Sequence, residues 1–333
     1  MKKLLFALSL IILISGFSAL YSLYRPYDSN NPKEITFEIP NGSTTKNIAK
    51  ILKDSELVRS GNLFLVLVKR SGDENNIKAG RYTLKQDMDY EEIISQLVRG
   101  SSFVEFARVT IPEGYELRQI TELLVSKGLV EKDEFEKALD PSLYDYSFLE
   151  TVNSDTLEGF LFPDTYDIPF SYEPKEIIEI FLNRFDEIFD EAYRERLSET
   201  GFSINELVTM ASIIERETKY PPERKTVSGV FHNRLNRNMR FESCATVQYA
   251  LGERKETLSY EDTSISSPYN TYRMKGLPPG PIASPGEESL VAALYPEKNE
   301  YLFFYAIPGD EKGRHIFSKT YEEHLKAQLK YKD

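Results

Sequence analysis

The sequence has few residues that bind metal ions or form covalent links. It contains one cysteine, Cys244, and three histidines, His232, His315 and His324, in 333 residues. A single cysteine excludes an internal disulfide, and the histidines lack the close spacings of familiar zinc motifs. We therefore predict no metal site.

Positive charge is outnumbered by negative charge. The chain has 41 Lys and Arg against 53 Asp and Glu, which gives a formal net charge of −12. Such a chain repels a phosphate backbone at long range, so nucleic acid is not an expected partner. The sequence also lacks a glycine-rich phosphate loop, a His-Glu-x-x-His helix and a Gly-x-Ser-x-Gly turn. Nucleotide, metalloprotease and serine-hydrolase chemistry therefore have no local support, and we predict no cofactor.

One long uncharged run stands at the N-terminus. Residues 4–24 follow Lys2 and Lys3 without a charge, and as a helix they span about 31 Å, enough to cross the hydrocarbon layer. A cleaved secretory signal is the competing interpretation. We favour a retained anchor over residues 1–25, because the run is long for a signal and residues 16–19 make a poor cleavage site. The basic start predicts a cytoplasmic N-terminus, a single pass through the cytoplasmic membrane and an extracytoplasmic remainder.

The remainder is long enough for about two domains and is predicted to be α+β. Residues 26–33, which are rich in Asn, Asp and Pro, are predicted to form a linker. Residues 34–102 have the pattern of a βααβ subdomain, with strands at 34–39 and 80–84. Residues 103–333 are predicted to form a larger mixed α+β domain.

A shift of 72 residues superposes residues 37–58 on residues 109–130. It produces seven identities in 22 positions, all where a strand, a Pro-x-Gly turn and one helix face require them. Convergence on a strand–turn–helix pattern and a true duplication both explain this match. A duplication predicts a second module at 109–166, whose closing strand falls within residues 157–166.

Carboxylates are the remaining candidates for chemistry. Residues 205–218 have helical periodicity, and Glu217 lies beside the apolar stripe of that helix. Its neighbours three and four positions earlier are Ile214 and Ile213, which would withdraw the carboxyl from water and favour the protonated form that a general acid needs. Glu215 has more hydrated neighbours. Two surface charges at a helix end are the alternative interpretation.

The segment A-S-I-I-E-R-E-T at 211–218 resembles the catalytic-helix motif of the YceG-like family of endolytic murein transglycosylases. The resemblance covers nearly the whole chain, including the N-terminal run. The other segments that carry it are K-A-G-R-Y at 78–82, E-G-F-L-F-P-D-T-Y at 158–166, F-H-N-R-L at 231–235, T-V-Q-Y-A-L-G at 246–252, Y-N-T-Y at 269–272, G-L-P-P-G-P-I at 276–282 and S-P-G at 284–286. One departure is S-C-A-T at 243–246, where some relatives have S-D-P-T.

The resemblance implies a LysM-like subdomain at 34–102 and a catalytic domain at 103–333 with its catalytic glutamate, Glu217, on a helix. It also implies cleavage of peptidoglycan glycan strands between N-acetylmuramic acid and N-acetylglucosamine, which leaves 1,6-anhydro ends and terminates strand elongation. Glycan strands, the membrane and peptidoglycan synthases are the implied partners. A non-catalytic wall-binding adaptor and a muramidase that uses water remain the alternatives.

Further candidates for the site are carboxylates that stabilise charge, together with aromatic and amide residues that suit sugars, because rings cover apolar sugar faces and amides bond hydroxyls. Each of them also has a structural interpretation as a core, cap or loop residue. These supporting or substrate-binding candidates are Glu158, Asp164, Glu215, Thr218, Asn233, Tyr269, Asn270, Thr271 and Tyr272.

Overall fold

The computed structural model describes residues 21–100, 106–150, 152, 155–255 and 257–331. The predicted membrane anchor lies almost wholly in residues 1–20, outside the described residues. Within the described ranges, no helix combines the length and the apolar character needed to span a membrane. The chain divides into two compact units, Met1–Phe106 with Pro169–Ser171, and Ala107–Ile168 with Tyr172–Asp333.

The first unit contains the predicted strand–helix–helix–strand order, followed by one helix that was not predicted. Its two strands are antiparallel, with Glu34 opposite Lys85 and Ile39 opposite Gly80. Thr44 and Ser60 cap the first two helices by accepting backbone N–H groups, as capping residues do. The elements are β1 (Glu34–Ile39), α1 (Thr45–Asp54), α2 (Gly61–Ser71), β2 (Gly80–Lys85) and α3 (Tyr90–Arg99).

Residues at the start of the first unit are hydrogen-bonded to it. The Arg59 guanidinium donates to the carbonyls of Pro26 at 3.0 Å and Tyr27 at 2.5 Å. The Asp28 N–H donates to the carbonyl of Gln86 at 3.0 Å. Residues 26–28, the beginning of the segment predicted as a linker, are therefore hydrogen-bonded to the rest of the first unit.

The second unit opens with the same order of elements, interrupted by two short 3₁₀ turns. Its first two strands pair, and the hydroxyls of Thr110 and Thr165 lie 2.9 Å apart across them. The closing strand begins at Thr165, so it overlaps only the end of the predicted segment 157–166. The elements are β3 (Phe106–Thr110), α4 (Leu117–Ser126), α5 (Lys132–Ala138) and β4 (Thr165–Pro169).

The two strand–helix–helix–strand segments also agree in detail. Gly42 and Gly114, matched by the 72-residue shift, both have φ of 74°, a conformation that favours glycine. Tyr82 and Tyr166, on the two closing strands, each donate a hydroxyl hydrogen bond of 2.6 Å to the carbonyl four residues earlier. Duplication of one module stays a prediction, as does its likeness to LysM.

The rest of the second unit is mainly helical, and a small antiparallel sheet precedes its last helix. The helix predicted at 205–218 is confirmed as Ile204–Glu217. The elements are α6 (Pro174–Ile188), α7 (Glu191–Thr200), α8 (Ile204–Glu217), α9 (Arg224–Asn236), α10 (Cys244–Leu251), α11 (Tyr260–Thr263), α12 (Glu287–Leu294), β5 (Phe303–Ala306), β6 (His315–Ser318) and α13 (Tyr321–Lys330).

Helix α8 runs through the core of this unit. It starts with a capping box between Ser203 and Glu206 and packs against α9, α10 and α12. Every residue from Leu207 to Ile214 is fully buried. Because the helix is buried up to its last turn, the position of Glu217, its final residue, is set by the packing of the whole core.

Candidate active site

Glu217 lies where the end of α8 meets the start of α10, and its side chain is half-buried. Its Oε1 atom accepts a hydrogen bond from the Ser243 hydroxyl at 2.5 Å and another from the Ala245 N–H at 3.3 Å. Within the described part of the chain, Oε2 has no hydrogen-bond partner. One oxygen is therefore oriented by the protein, and the other remains available for proton exchange.

The start of α10 supplies both donors to Glu217. Ser243 is the residue before the first turn, and its hydroxyl donates to the carboxylate instead of accepting from its own helix. Ala245 belongs to the first turn, whose N–H groups have no partners within the helix. The partial positive charge of a helix N-terminus further favours a carboxylate at this point.

Cys244 and Tyr272 lie beside the donors, with Sγ 3.1 Å from the tyrosine hydroxyl oxygen. The thiol is exposed, yet partial desolvation and the nearby Glu217 carboxylate raise the pKa of Cys244. Burial, the contact with Cys244 and the charge of Glu217 raise the pKa of Tyr272. Both side chains are therefore neutral near pH 7, and Tyr272 is the residue of the 269–272 segment that lies beside the glutamate.

Arg234 holds the loop that leads into α10. Its buried guanidinium donates to the carbonyls of Arg240 at 3.0 Å, Phe241 at 2.7 Å and Leu302 at 2.6 Å. It also pairs with Glu242 at 3.3 Å, a residue with a left-handed φ of 53°. Burial lowers the pKa of Arg234, whereas the carboxylates of Glu242 and Glu217 raise it. A fixed positive charge therefore stands near Glu217.

Glu215 has different surroundings, although it lies only two residues from Glu217. Its buried carboxylate pairs with Arg224 at 2.9 Å and accepts bonds from the Gly286 N–H at 3.1 Å and the Ser289 hydroxyl at 2.7 Å. Arg224 also pairs with Glu113 at 3.2 Å. This ion-pair cluster ties α8 to the starts of α9 and α12, so Glu215 is engaged in the packing of helices.

Glu158 lies in a second buried cluster. Both of its carboxylate oxygens accept the Leu117 N–H, at 3.1 and 3.2 Å. Burial is the largest cause that raises the pKa of Glu158 to about 8, and the neighbouring Glu116 also raises it. The Tyr249 hydroxyl is a further partner of Glu158, and burial raises the pKa of Tyr249 as well. Because Tyr249 belongs to α10, this buried carboxyl contacts the helix whose other end binds Glu217.

The polar groups of Asp164 and Asn233 bond away from the Glu217 carboxyl. Asp164 pairs with Arg184 at 2.8 Å. The Asn233 amide donates to the carbonyls of Asn299 at 3.0 Å and Tyr301 at 2.9 Å. Their polar groups therefore connect parts of the fold.

Within the 269–272 segment, the fully buried Asn270 donates to the carbonyls of Thr263 at 3.0 Å and Ile265 at 2.9 Å. The ring of Tyr269 packs 4.9 Å from that of Tyr249. These two side chains support the shape of the loop that carries Tyr272.

Thr218 and Thr271 are buried next to the site. Thr218 directly follows the last residue of α8, and its Oγ1 has no hydrogen-bond partner among the described residues. Thr271 is fully buried and accepts the Ser243 N–H at 3.1 Å. Neither side chain presents a surface on which a sugar can lie.

Three contributors to this site were missed from the sequence: Ser243, Ala245 and Arg234. Ser243 and Ala245 belong to the S-C-A-T segment, whose distinctive feature in the sequence is a cysteine in place of an aspartate. Arg234 belongs to F-H-N-R-L, in which the predicted site candidate is Asn233. An arginine in a helix without a clear apolar stripe is only a weak signal in the sequence, because its burial is known from the structure alone.

The fold and site define an α+β protein in which a glutamate at the end of one helix is oriented by the start of a second helix. The profile of the YceG-like family matches residues 37–330, so the chain belongs to the YceG-like family.

Several named relatives are similar over most of the chain. A Bacillus subtilis (strain 168) protein named endolytic murein transglycosylase is 36% identical, over 96% of this chain and 91% of that protein. A protein of the same name from Streptococcus pneumoniae serotype 2 is 31% identical over 93% of this chain, which spans 60% of the streptococcal protein. The crystal structure of a YceG-like protein from Listeria monocytogenes has a TM-score of 0.61 and 37% identity, covering 89% of this chain and all of that one.

Proposed function

We propose that this chain is an endolytic murein transglycosylase that cleaves glycan strands with Glu217 as its acid and base. The observation that carries the proposal is a difference between the two oxygens of the Glu217 carboxyl. Oε1 accepts two hydrogen bonds, from Ser243 and Ala245, whereas Oε2 has no partner within the described residues. Family membership and the names of the relatives support murein as the substrate.

The geometry supports a proton on Oε2 when Glu217 is neutral, because Oε1 already accepts from two donors. Oε2 donates this proton to the glycosidic oxygen while the bond to the muramic acid anomeric carbon breaks through an oxocarbenium-like state. The C6 hydroxyl of the same sugar then attacks that carbon, and Glu217 takes its proton. The products are a free N-acetylglucosamine hydroxyl and a 1,6-anhydro end, with no water consumed.

The donors from α10 assist the second half of this cycle. Once the proton has left, the Ser243 hydroxyl and the Ala245 N–H stabilise the negative charge on Oε1. The same donors keep the carboxylate oriented toward the C6 hydroxyl. This is how preorganised groups lower a barrier without reorganising during the reaction.

The decisive experiment is digestion of purified murein by the full chain, with mass spectrometry of the released fragments. We expect anhydro-ended fragments from the wild type and about 100- to 10,000-fold less from Glu217→Gln, the usual contribution of a general acid and base. Reducing ends in place of anhydro ends would indicate a muramidase. A folded wild type that binds murein without cleaving it would indicate the adaptor.

We also propose that residues 1–25 anchor the protein in the cytoplasmic membrane, with both units outside the cytoplasm and close to peptidoglycan synthases. The uncharged run at 4–24 after two lysines supports this arrangement. Protease treatment of spheroplasts should digest the units while the membrane stays intact. Protection of both units from protease would contradict the orientation.

A further inference from the structure

Thr271 belongs to a closed ring of hydrogen bonds around Ser243. The Ser243 N–H donates to Thr271 Oγ1 at 3.1 Å, and Thr246 Oγ1 donates to the Ser243 carbonyl at 2.8 Å. The two threonine hydroxyl oxygens lie 2.8 Å apart. Because the Thr246 hydrogen is committed to the Ser243 carbonyl, Thr271 is the donor in the third bond. Each group in the ring therefore has a defined direction.

The ring is inaccessible to substrate. Thr271 and Thr246 are both fully buried, and Ser243 is 3% exposed. The Thr271 carbonyl also accepts the Glu242 N–H at 3.2 Å, so Thr271 holds the backbone of the residue before Ser243 as well as that of Ser243 itself. The single hydroxyl hydrogen of Thr271 is already donated, and full burial keeps a sugar hydroxyl away from its remaining lone pair.

The ring fixes both backbone polar groups of the residue whose hydroxyl binds Glu217. With its N–H and carbonyl restrained, Ser243 directs its Oγ at Glu217 Oε1. The Ala245 N–H, two residues further, is carried by the same turn. Displacement of a catalytic group by about 1 Å can reduce the rate of a reaction about 100-fold. The ring is therefore placed to control the rate through the carboxyl, with no contact to substrate.

We propose that Thr271 is a positioning residue for Glu217, acting through Ser243 with Thr246 as the third member of the ring. This inference rests on the proposed role of Glu217 as the acid and base. It assigns to Thr271, which the sequence suggests for sugar binding, a part in orienting the carboxyl. The Y-N-T-Y segment then contributes to the site in two ways. The buried Thr271 orients Ser243, and Tyr272 lies beside Cys244.

The test compares Thr271→Val, which removes the hydroxyl but keeps the shape, with Thr271→Ser, which keeps the hydroxyl. The full chain is assayed on purified murein over a range of pH. We expect Thr271→Val to lower kcat about 10- to 100-fold with little change in KM. The basic limb of its pH profile should move to higher pH, because a displaced Ser243 no longer stabilises the carboxylate charge. Thr271→Ser should restore both.

Thr121→Val is the matched control, because Thr121 is also buried in the second unit and, among the described residues, its hydroxyl bonds only to the Leu117 carbonyl of its own helix. We expect this variant to keep the wild-type kcat and pH profile. If Thr271→Val does not fold, Thr246→Val interrupts the same ring and should lower kcat in the same way.

A folded Thr271→Val with wild-type kcat and pH profile overturns the proposal. So does a loss confined to KM, or a Thr271→Ser variant as impaired as the valine. In the fallback experiment, wild-type kcat in Thr246→Val has the same meaning. Full activity in Glu217→Gln would instead refute the proposed role of the glutamate itself, which separates the two failures.

Discussion

The Ser243 hydroxyl donates a hydrogen bond of 2.5 Å to Glu217 Oε1, across 26 residues of sequence. The bond joins the last residue of a buried helix to the residue that precedes another. It restrains one carboxyl oxygen and stabilises negative charge on it. The chemistry proposed for Glu217 therefore depends on how two helix ends are held together.

Replacement of Ser243 by alanine should lower kcat about tenfold and leave KM nearly unchanged. The reason is that the Ser243 side chain orients the carboxyl through its hydrogen bond and does not contact substrate. The basic limb of the pH profile should move to higher pH, since the carboxylate loses a donor. Ser243→Thr retains a hydroxyl and should stay within a few-fold of the wild type. Steady-state rates on murein between pH 4 and 9 would check this, and an unchanged alanine variant would refute it.

Alkylation of Cys244 should inhibit the enzyme, because the thiol is exposed and lies between the two donors to Glu217. The raised pKa of Cys244 means a smaller thiolate fraction at pH 7 than in free cysteine. Labelling by iodoacetamide should therefore be slow at pH 7 and faster as the pH rises. The measurement is residual activity against the labelled fraction found by mass spectrometry.

Cys244→Ser is the control for this labelling. It should remain active and become insensitive to iodoacetamide, since Cys244 is the sole cysteine of the sequence. Fully labelled wild type with undiminished activity would show that the thiol lies away from the path of the substrate.

The amphipathic elements of this fold were predictable, and those defined by long-range contacts were not. Helix α8 has an apolar stripe that ends beside Glu217, and its bounds were predicted to within about two residues. Helix α10 has eight residues, including Cys244, Thr246 and Val247, and lies in a turn-rich region. Its helical state depends on partners such as Thr271, which no local pattern reveals.

The candidate site was predictable for its central residue only. Ile213 and Ile214 are fully buried, but the Glu217 carboxyl itself lies against the Ser243 hydroxyl and the Ala245 N–H, a polar setting that the isoleucine spacing did not predict. The sequence offered no means of seeing that Ser243 would reach Glu217, because the contact forms only when the core brings α8 and α10 together. The same applies to Thr271, whose hydroxyl is suited to bind a sugar but is buried in the structure.

Protonation of Glu158 should make the stability of the second unit depend on pH. Its folded pKa of about 8 exceeds the usual value of 4.5, so the folded state binds more protons than the unfolded state between these values. The stabilisation is complete below about pH 4.5 and is lost as the pH rises through about 8. A pKa shift of this size corresponds to a stabilisation on the order of a few kcal/mol.

Glu158→Gln is neutral at every pH and keeps an acceptor for the Leu117 N–H. Its melting temperature should therefore change less between pH 5 and pH 9 than that of the wild type, and it should exceed the wild-type value at pH 9. Differential scanning calorimetry of both proteins provides the comparison. Parallel curves for the two proteins would rule out a buried neutral carboxyl at this position.

Glu215→Gln and Glu217→Gln should have opposite consequences, although the substitutions are identical and lie on one helix. Glu215→Gln weakens a buried pair with Arg224, whose side chains are 7% and 10% exposed. Loss of a buried charge partner costs about 3 to 5 kcal/mol, and about 2 to 3 kcal/mol is expected here because Glu113 still pairs with Arg224. The folded variant should keep a kcat close to that of the wild type.

The free energy of unfolding of Glu217→Gln should lie within about 1 kcal/mol of the wild-type value, because a glutamine oxygen still accepts from Ser243 and Ala245. Its activity should nevertheless be lost, because an amide has no proton to give to a glycosidic oxygen. Urea unfolding and rates on murein, measured on both variants, separate the two roles. If Glu215→Gln lost its activity at unchanged stability while Glu217→Gln remained active, the reacting carboxyl would be Glu215, and the contacts at the start of α10 would serve only to join two helices.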